Sequence, residues 1–366
     1  MLGIGIIGLP NVGKSTLFNA LSKRNVPAEN YPFCTIEPNT AIVEYEDERL
    51  HHIKKIFNSG KAVNPAIEFI DIAGLVKGAS KGEGLGNKFL DHISKVDAIA
   101  HIVRCFRDDN VVSSGNVDPA TDAEIIDLEL IEKDIETVDK RYEKTYKIAR
   151  AGDKDARAET EILEKIKKHL ESGNPVRTYK KGERNEKEEE LIYSLFLLSE
   201  KPVIYVANVN ENIYKIEDNE DYKKLAEYAL SKDSDYFAIN AKIETETNEL
   251  SEEEKKEFKE EFGIDENLLN TFIIKCKKML NLITFNTANE NECKSWNIVS
   301  GTTASKAAGK IHTDMEKGFI KAEVVNWEIL KNYDNIKQIR EEGKLMIEGK
   351  DYIINEGDFV YIHFHV

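Results

Sequence analysis

The sequence has few cysteines, a deficit of positive charge and no long apolar run. Its 366 residues include four cysteines without a paired spacing, which argues against a disulfide framework or a zinc site. Lys and Arg total 51 against 67 for Asp and Glu, so the net charge of −16 disfavours whole-surface attraction to nucleic acid and leaves a local basic patch open. Without a basic leader or a membrane-length apolar stretch, we expect a cytoplasmic protein with no membrane contact.

The length and composition are those of a folded protein of more than one domain. With 41% hydrophobic and 32% charged residues, the chain can bury a core, and its length predicts two or three domains.

The N-terminal segment has the pattern of a phosphate-binding loop. An apolar run, Gly3–Ile7, leads into the residues GLPNVGKST (8–16) and then into a helical pattern. Its glycines let backbone N–H groups face a polyphosphate, Lys14 can reach the outer phosphates, and Ser15 can ligate Mg²⁺. A glycine-rich strand-to-helix turn is the plainer alternative. The predicted phosphate contacts are Asn11, Val12, Gly13, Lys14, Ser15 and Thr16.

A second motif follows the next buried strand. Ala66–Asp71 is predicted to be a strand ending in a carboxylate, and Gly74 completes a DxxG pattern before a glycine-rich run. Asp71 can hold the Mg²⁺ shell through water, and the Gly74 N–H can meet a γ-phosphate, so hydrolysis would release this switch. Thr35 is a candidate second Mg²⁺ ligand, although its hydroxyl could equally bond to the loop backbone.

The base-reading motif departs from that of a GTPase. The guanine motif NKxD uses its Asp for two hydrogen bonds to the base and its Lys to cover the ring, whereas this chain has Asn208, Val209 and Glu211 in NVNE. Glu is one methylene longer and Val cannot replace Lys, so guanine discrimination weakens and adenine becomes admissible. A strand-end turn without base contact is the alternative. Asn240 and Ala241 fit the last base-side loop.

The catalytic residue is not identifiable from the motifs. Many GTPases place a Gln after DxxG to orient water, and this chain has Leu75, which could simply pack against the switch. Turnover should therefore be slow unless a cation or a partner supplies the positioning. Asn11 is a candidate for binding a monovalent cation, making K⁺ a candidate cofactor beside Mg²⁺.

A long insertion interrupts the nucleotide domain. Apolar residues at three-four spacing on either side of Gly152 predict two helices forming an antiparallel coiled hairpin, whose charged faces are a solvated surface or a docking surface. We expect a doubly wound α/β P-loop NTPase domain in two parts (1–122 and 196–280), a helical coiled-coil insertion (123–195), and a tail domain (281–366).

The tail has a β-rich pattern. Strands are predicted to begin near Leu282 and to end with two strands around a turn at Gly357 within residues 352–364, with a helix near 304–309. Residues 309–321 mix Lys, His and aromatic side chains, so they are either a polar surface loop or an RNA contact through Lys310, Lys317 and Lys321.

Together, GLPNVGKS, PFCTIEPN, DIAGLVKGASKGEGLGN, NVNE and GKIHTDMEKGFIKAEV resemble the Obg-like ATPase, or YchF, family over essentially the whole chain. The resemblance implies ATP preference, a β-grasp TGS tail domain and the ribosome as a partner. Family members often have a histidine after the fourth core strand, proposed to replace the catalytic Gln, but residues 110–115 contain none. The catalytic group therefore stays unassigned.

These features predict a slow, Mg²⁺-dependent ATPase switch that hydrolyses ATP to ADP and phosphate and docks on the ribosome. The alternatives are an Obg-type GTPase that tolerates Glu211 and a nucleotide-gated ribosome- or RNA-binding module in which hydrolysis is incidental.

Overall fold

The computed structural model describes residues 2–26, 39–73, 85–106, 118–210, 216, 218–247, 250, 253–254 and 268–365. The chain divides into two compact units. We call residues 2–23 and 69–269 the P-loop unit, and residues 24–68 and 270–366 the tail unit.

The P-loop unit is built on a parallel sheet. Its strands follow the order β4-β1-β5-β6-β7. The strand β2 (Thr40–Glu44) is grouped with the tail unit. Every residue of β1, β5 and β6 is buried, as expected for parallel strands covered on both faces. The strands are β1 (Gly3–Ile7), β4 (Ala66–Asp71), β5 (Ala98–Cys105), β6 (Val203–Val209) and β7 (Asp235–Ile239).

Helices connect these strands. They are α1 (Lys14–Ser22), α3 (Leu85–Lys95), α4 (Pro119–Arg150), α5 (Lys154–Glu171), α6 (Glu186–Leu195), α7 (Glu220–Ser231) and α8 (Ala241–Thr247). Within the described residues, no helix combines the length and the apolar character needed to cross a membrane. The side chains of Cys105, Cys276 and Cys293 are buried thiols that form no disulfide within the described residues.

The two longest helices, α4 and α5, pack along each other. Gly152 in the turn between them has a φ of 105°, and the Asp153 side chain caps α5 by accepting from the Ala156 N–H. Asp139 meets Lys167 at 2.6 Å and Arg141 meets Glu159 at 2.5 Å, so the helices run in opposite directions. Their shared core is Ile131, Val138, Leu163, Ile166 and Leu170, with residues 176–197 closing one end.

The first half of α4 is tied to the sheet by buried polar groups, which we call the root network. Asp127, 3% exposed, accepts hydrogen bonds from the Tyr205 hydroxyl of β6 and, at 2.8 Å, from the Tyr228 hydroxyl of α7. Arg177 donates to the Tyr205 oxygen at 3.0 Å and lies 3.5 Å from the Asp127 carboxylate. The network therefore satisfies a buried charge pair with neighbouring hydroxyls.

A second buried carboxylate, Asp134, anchors α4 at a position after Asp127. Asp134 accepts the N–H groups of Leu198 and Ser199 at 2.7 and 2.8 Å, and the Ser199 hydroxyl at 2.6 Å. Burial raises the pKa of Asp134 to about 6, although these hydrogen bonds oppose the shift.

The tail unit has a mixed sheet of order β11-β10-β12-β8-β9-β3. One face packs on α2, α12 and α13, and the other on α10. The strands are β3 (Lys61–Val63), β8 (Leu282–Ala288), β9 (Glu292–Val299), β10 (Phe319–Asn326), β11 (Met346–Glu348) and β12 (Asp358–Phe364). The helices are α2 (Arg49–Phe57), α9 (Leu268–Met279), α10 (Ala304–Ile311), α11 (Thr313–Lys317), α12 (Trp327–Leu330) and α13 (Ile336–Glu341).

Two local predictions for the tail are wrong. Two strands were expected around the turn at Gly357, and only the second, β12, forms. Before the turn, Ile353 makes a single isolated bridge with Thr303 instead of a strand. The stretch 309–321 is not a loop, since it completes α10, forms α11 and begins β10.

Residues 24–68 pack with the tail rather than forming a unit with the N-terminal strand. β3 pairs in parallel with β9, matching Lys61 to Glu292 and Val63 to Lys294. Leu50 and Ile53 of α2 are buried in the same cluster as Phe359. The compact units therefore divide the chain differently from the predicted boundaries, because contacts between residues more than two hundred positions apart decide the grouping.

Candidate functional site

The phosphate-binding pattern folds as a turn between β1 and α1. Asn11 and Gly13 have φ values of 63° and 95°, so the backbone enters the left-handed region twice before the helix begins at Lys14. A Cβ on Gly13 would lie 2.0 Å from Asn208 Nδ2, and one on Gly8 would lie 2.6 Å from the Ile102 carbonyl oxygen. Glycine is therefore required at both positions by close packing.

The predicted phosphate and metal residues meet at the start of α1. The Lys14 ammonium forms an ion pair with the Asp71 carboxylate at the end of β4. Both side chains are largely but not completely buried, at 12% and 22% exposure, while Ser15 in the first turn is exposed. The structure thus brings together a cation, a carboxylate and a hydroxyl beside a helix N-terminus.

Asn208 connects the phosphate side of the site to the base side. Its Nδ2 donates to the Val12 carbonyl at 2.9 Å, and its Oδ1 accepts from the Ala241 N–H at 3.1 Å. The side chain is 6% exposed, so both contacts are shielded from water. Asn208 therefore bridges two loops by hydrogen bonds, whereas the sequence pattern predicted it only as a base contact.

Asn240 and its neighbours build the base-side loop. The Asn240 Oδ1 accepts from the N–H groups of Lys242 and Ile243 at 3.1 and 3.0 Å and caps α8. The Thr245 hydroxyl lies 3.2 Å from the Thr16 carbonyl oxygen of α1. Thr245 was missed by sequence reasoning, because nothing in its spacing indicates which helix lies beside it.

Val209 ends β6 with its side chain buried at 3% exposure, opposite Cys105 in the sheet register. It is packed in the sheet, so its effect on base choice would come from the absence of a lysine. The other predicted site residues, Thr35, Gly74 and Glu211, lie outside the described residues, as do Leu75 and the loop 110–115.

The donor set can be tested against Mg²⁺. Among the described residues, no group of three or more His, Cys, Asp and Glu side chains is placed to hold a metal. Mg²⁺ in nucleotide sites keeps several waters and takes one or two protein oxygens together with phosphate oxygens, so a carboxylate cluster is not needed. Ser15 and Asp71 supply a hydroxyl and a carboxylate of that kind, and the residues present fit the ion.

Family models match both parts of the chain. The model described as a 50S ribosome-binding GTPase matches residues 3–148. The model of the YchF GTPase C-terminal region, described as a protein of unknown function, matches residues 282–365.

Relatives match over the full length. The ribosome-binding ATPase YchF of Bacillus subtilis (strain 168) is 48% identical over 367 residues, covering 100% of both chains. The protein of the same name from Escherichia coli O157:H7 is 45% identical, covering 99% of both. The solved structure of the Schizosaccharomyces pombe YchF GTPase superposes with a TM-score of 0.87 at 37% identity, covering 99% of this chain and 97% of that one. The chain has a P-loop GTPase α/β fold with a YchF-type C-terminal domain, and it belongs to the YchF family.

Proposed function

We propose that this protein is a ribosome-associated, Mg²⁺-dependent ATPase switch that hydrolyses ATP to ADP and phosphate. The carrying observation is the paired Lys14 and Asp71 at the end of a glycine-constrained loop that opens α1. Full-length relatives named ribosome-binding ATPase support both the activity and the partner. The chain's composition supports a cytoplasmic location.

The described residues divide the work of holding a triphosphate. Backbone N–H groups of residues 11–16 face the phosphates, and the N-terminus of α1 adds a favourable dipole. Lys14, paired with Asp71 here, would neutralise the outer phosphates of a bound triphosphate, and the Asp71 carboxylate would hold Mg²⁺ through water. Ser15 and Thr35 would hold Mg²⁺, which neutralises charge on the transferred phosphoryl group. Gly74 would contact the γ-phosphate.

The missing Gln leaves water positioning to groups outside the assigned side chains. Leu75 cannot orient water, so we propose slow intrinsic turnover that is raised by a cation or by the ribosome. Asn11, exposed beside the loop, is the proposed K⁺ contact. Equal turnover in potassium and sodium salts would reject that contact.

Base choice is the part of the proposal most open to direct measurement. Val209 and Glu211 replace two guanine contacts, while Asn208, Asn240 and Ala241 are engaged in holding the base-side loops. We expect ATP to bind at least as tightly as GTP in calorimetric titration of the purified chain. Binding of GTP about tenfold more tightly, equivalent to 1.4 kcal/mol, would defeat the ATP assignment.

A double variant tests the same point in the opposite direction. Val209→Lys with Glu211→Asp should gain GTP affinity, by up to the 1–3 kcal/mol typical of a bidentate base contact. The single variant Glu211→Gln is the control, because it changes the side chain without restoring the guanine contact. An unchanged preference in the double variant would mean that other residues select the base.

An Obg-type GTPase is the second candidate, because the Schizosaccharomyces pombe relative with the same fold is named a GTPase. A third is an RNA- or ribosome-binding module with incidental hydrolysis. The architecture proposed for docking is an antiparallel coiled-coil hairpin from α4 and α5 and a β-grasp TGS domain in the tail. Lys310 and Lys317 are exposed and Lys321 is half-buried, so they are available for RNA contact.

Cosedimentation with ribosomes separates these functions. We expect the parent chain to bind ribosomes in a nucleotide-dependent manner, and charge reversal of Lys310, Lys317 and Lys321 to weaken binding if the tail contacts RNA. Ribosome binding that Lys14→Ala retains after losing phosphate release would favour the nucleotide-gated module with incidental hydrolysis.

A further inference from the structure

Helix α6 buries one face and exposes a line of side chains on another. Leu191 belongs to the buried face and packs in the core shared with α4 and α5. Glu186, Glu190 and Tyr193 follow one another at spacings of four and three, so they lie along one helix face, and all three are exposed. Phe196 caps the helix three residues after Tyr193. We call Glu186, Glu190, Tyr193 and Phe196 the α6 stripe.

The two rings of the α6 stripe are more exposed than any other large apolar side chain of the described residues. Tyr193 and Phe196 are each 79% exposed, against 64% for Leu230 of α7. Their ring centroids are 6.1 Å apart with 43° between the ring planes, so the two side chains form one aromatic patch. Because exposed rings forfeit the stabilisation that burial provides, folding does not explain why two of them lie together here.

The backbone at Phe196 adds to this conflict with stability. Its φ is 51°, in the left-handed region, where a bulky side chain is an outlier and Gly or Asn is preferred at a helix end. The other non-glycine residues with positive φ among the described residues are mostly Asn or Asp: Asn11, Asn58, Lys180, Asp233 and Asn281. The helix therefore ends on a strained phenylalanine whose ring gains little from burial.

Unpaired carboxylates accompany the aromatic patch. Glu186 and Glu190 are exposed and form no ion pair with the described residues. The neighbouring Lys187 is directed to Asp155, at 3.5 Å, and the Arg184 side chain is only 6% exposed. The α6 stripe thus presents negative charge to solvent beside the two rings.

We propose that the α6 stripe docks a basic segment of a ribosomal protein, whose Lys or Arg side chains meet the two glutamates while an arginine guanidinium covers the rings. The proposal rests on the ribosome association proposed above and specifies the chemistry of one partner. Opposite charge selects this occupant, because carboxylates attract cations and repel the phosphates of RNA. Arginine fits the patch because its planar guanidinium stacks on aromatic faces and is weakly hydrated.

Two double variants of the full-length chain remove the parts of the stripe separately. Tyr193→Ser with Phe196→Asn removes the rings, and Glu186→Gln with Glu190→Gln removes the charges at almost unchanged helix propensity. The measurement is fluorescence anisotropy with a labelled short peptide of alternating arginine and serine. We expect the ring variant to bind the peptide about tenfold more weakly and the charge variant about threefold more weakly.

Helix α7 supplies a matched control. Glu227 and Leu230 are an exposed glutamate and an exposed apolar residue three positions apart, the same spacing as Glu190 and Tyr193. Glu227→Gln with Leu230→Ser should bind the peptide as the parent does. Replacing arginine by lysine in the peptide should weaken binding to the parent and have little effect on binding to the ring variant, because the stacking partner is then absent.

The single variant Phe196→Asn tests whether the ring serves binding rather than folding. Asn adopts the left-handed conformation more readily than Phe, so the midpoint of thermal unfolding should rise by about 2 °C while peptide binding weakens. A lower midpoint would show that the ring stabilises the fold and would overturn the proposal.

Purified ribosomes provide the final test. A photo-reactive benzoylphenylalanine in place of Phe196 should crosslink to a ribosomal protein. Crosslinking to ribosomal RNA alone would overturn the proposal, as would parent-like peptide binding by both stripe variants or equal losses in all three double variants. If the parent binds the peptide through the stripe but does not cosediment with ribosomes, the proposed ribosome association fails and the stripe's affinity for basic segments stands.

Discussion

We call the side of the P-loop unit that carries the Lys14–Asp71 pair the nucleotide edge. The nucleotide edge and the root network use charge in opposite ways within one compact unit. At the edge, Lys14 and Asp71 form a pair that is 12% and 22% exposed and opens toward the loop that would receive phosphates. At the root, Asp127 and Arg177 are 3% and 7% exposed, the Tyr205 hydroxyl bridges them, and the Tyr228 hydroxyl also donates to Asp127. The edge pair can exchange partners with a ligand, whereas the root pair cannot open without leaving a buried charge.

The comparison indicates where ligand chemistry and structural coupling reside. β6 carries both systems, because Tyr205 joins the root network and Asn208, three residues later, holds the phosphate loop. A single strand therefore links the base of α4 to the nucleotide edge. Changes at the root should alter stability first, and changes at the edge should alter turnover first.

The largest expected effect is on stability at the root. Asp127→Ala would leave Arg177 as an uncompensated buried charge and should lower the free energy of unfolding by about 3–5 kcal/mol. Urea denaturation measures this, with the exposed Glu124→Ala on the same helix as a control expected to stay within about 0.5 kcal/mol. Similar stabilities for the two variants would remove the distinction between root and edge.

The next effect is on turnover at the edge. Lys14→Met should reduce phosphate release about 10²- to 10³-fold, as does loss of one preorganised charge-stabilising donor in other enzymes. Its unfolding free energy should change little, because the pair with Asp71 is partly exposed. Lys23→Met, just beyond the other end of α1, is the control and should retain turnover. A large loss of stability in Lys14→Met would place the residue with the root.

Two buried groups near the root should give opposite pH dependence. Burial lowers the pKa of His101 to about 4, with Arg177 adding to the shift and Asp127 opposing it. Its Nδ1 has no hydrogen-bond partner among the residues that the structure describes. The folded state thus binds fewer protons than the unfolded state, and this stability is lost as pH falls from 6.5 toward 4. For Asp134, whose pKa is raised to about 6, stability is lost as pH rises from 3.8 toward 6.

Single variants expose the two contributions. As pH falls from 6.5 toward 4, His101→Gln should become more stable relative to the parent, by roughly 3 kcal/mol in unfolding free energy. As pH falls from 6 toward 3.8, Asp134→Asn should become less stable relative to the parent by a similar amount. Chemical denaturation at several pH values between about 4 and 7 measures both differences. Differences of the same sign would contradict the assignment.

The smallest effect concerns Asn208, which bridges the phosphate loop and the base-side loop. Asn208→Ala leaves the Val12 carbonyl and the Ala241 N–H without their partner and should cost about 1–3 kcal/mol in unfolding free energy. ATP and GTP affinity should fall together, because the contacts position loops rather than read a base. Asn208→Asp keeps the acceptor alone and should lie between the parent and Asn208→Ala. Loss of only one nucleotide's affinity would instead assign base reading to Asn208.

The sequence predicted the local parts of the site and missed the contacts that join them. Glycine spacing located the turn before α1, and the apolar runs located β4 and β6 with their polar ends at Asp71 and Asn208. The periodicity of a helix likewise marked α4 and α5. It could not indicate that the Asn208 amide bonds to Val12, 196 residues away, because side-chain direction depends on which strands become neighbours.

The same reason explains the unexpected members of the root and the tail. Asp127 and Tyr205 are each unremarkable in their own segments, and only the register of β5, β6 and α4 brings them into contact with Arg177. Likewise, Lys61–Val63 is too short to predict which sheet it joins, and its partner β9 lies more than two hundred residues later.

The addition of β3 and α2 to the tail sheet has a practical consequence for dissecting the protein. Cutting the chain after residue 280 would not give an N-terminal fragment that folds on its own. Leu50 and Ile53 would lose the residues that bury them, and β3 would lose its partner β9, so the fragment would expose apolar surface and an unpaired strand edge that favour aggregation. A fragment of residues 281–366 would likewise lack β3, the strand at the end of its sheet. Splicing residues 24–68 to the tail through a designed linker would respect the folding unit, and deletion strains lacking only the tail would report on aggregation as much as on lost function.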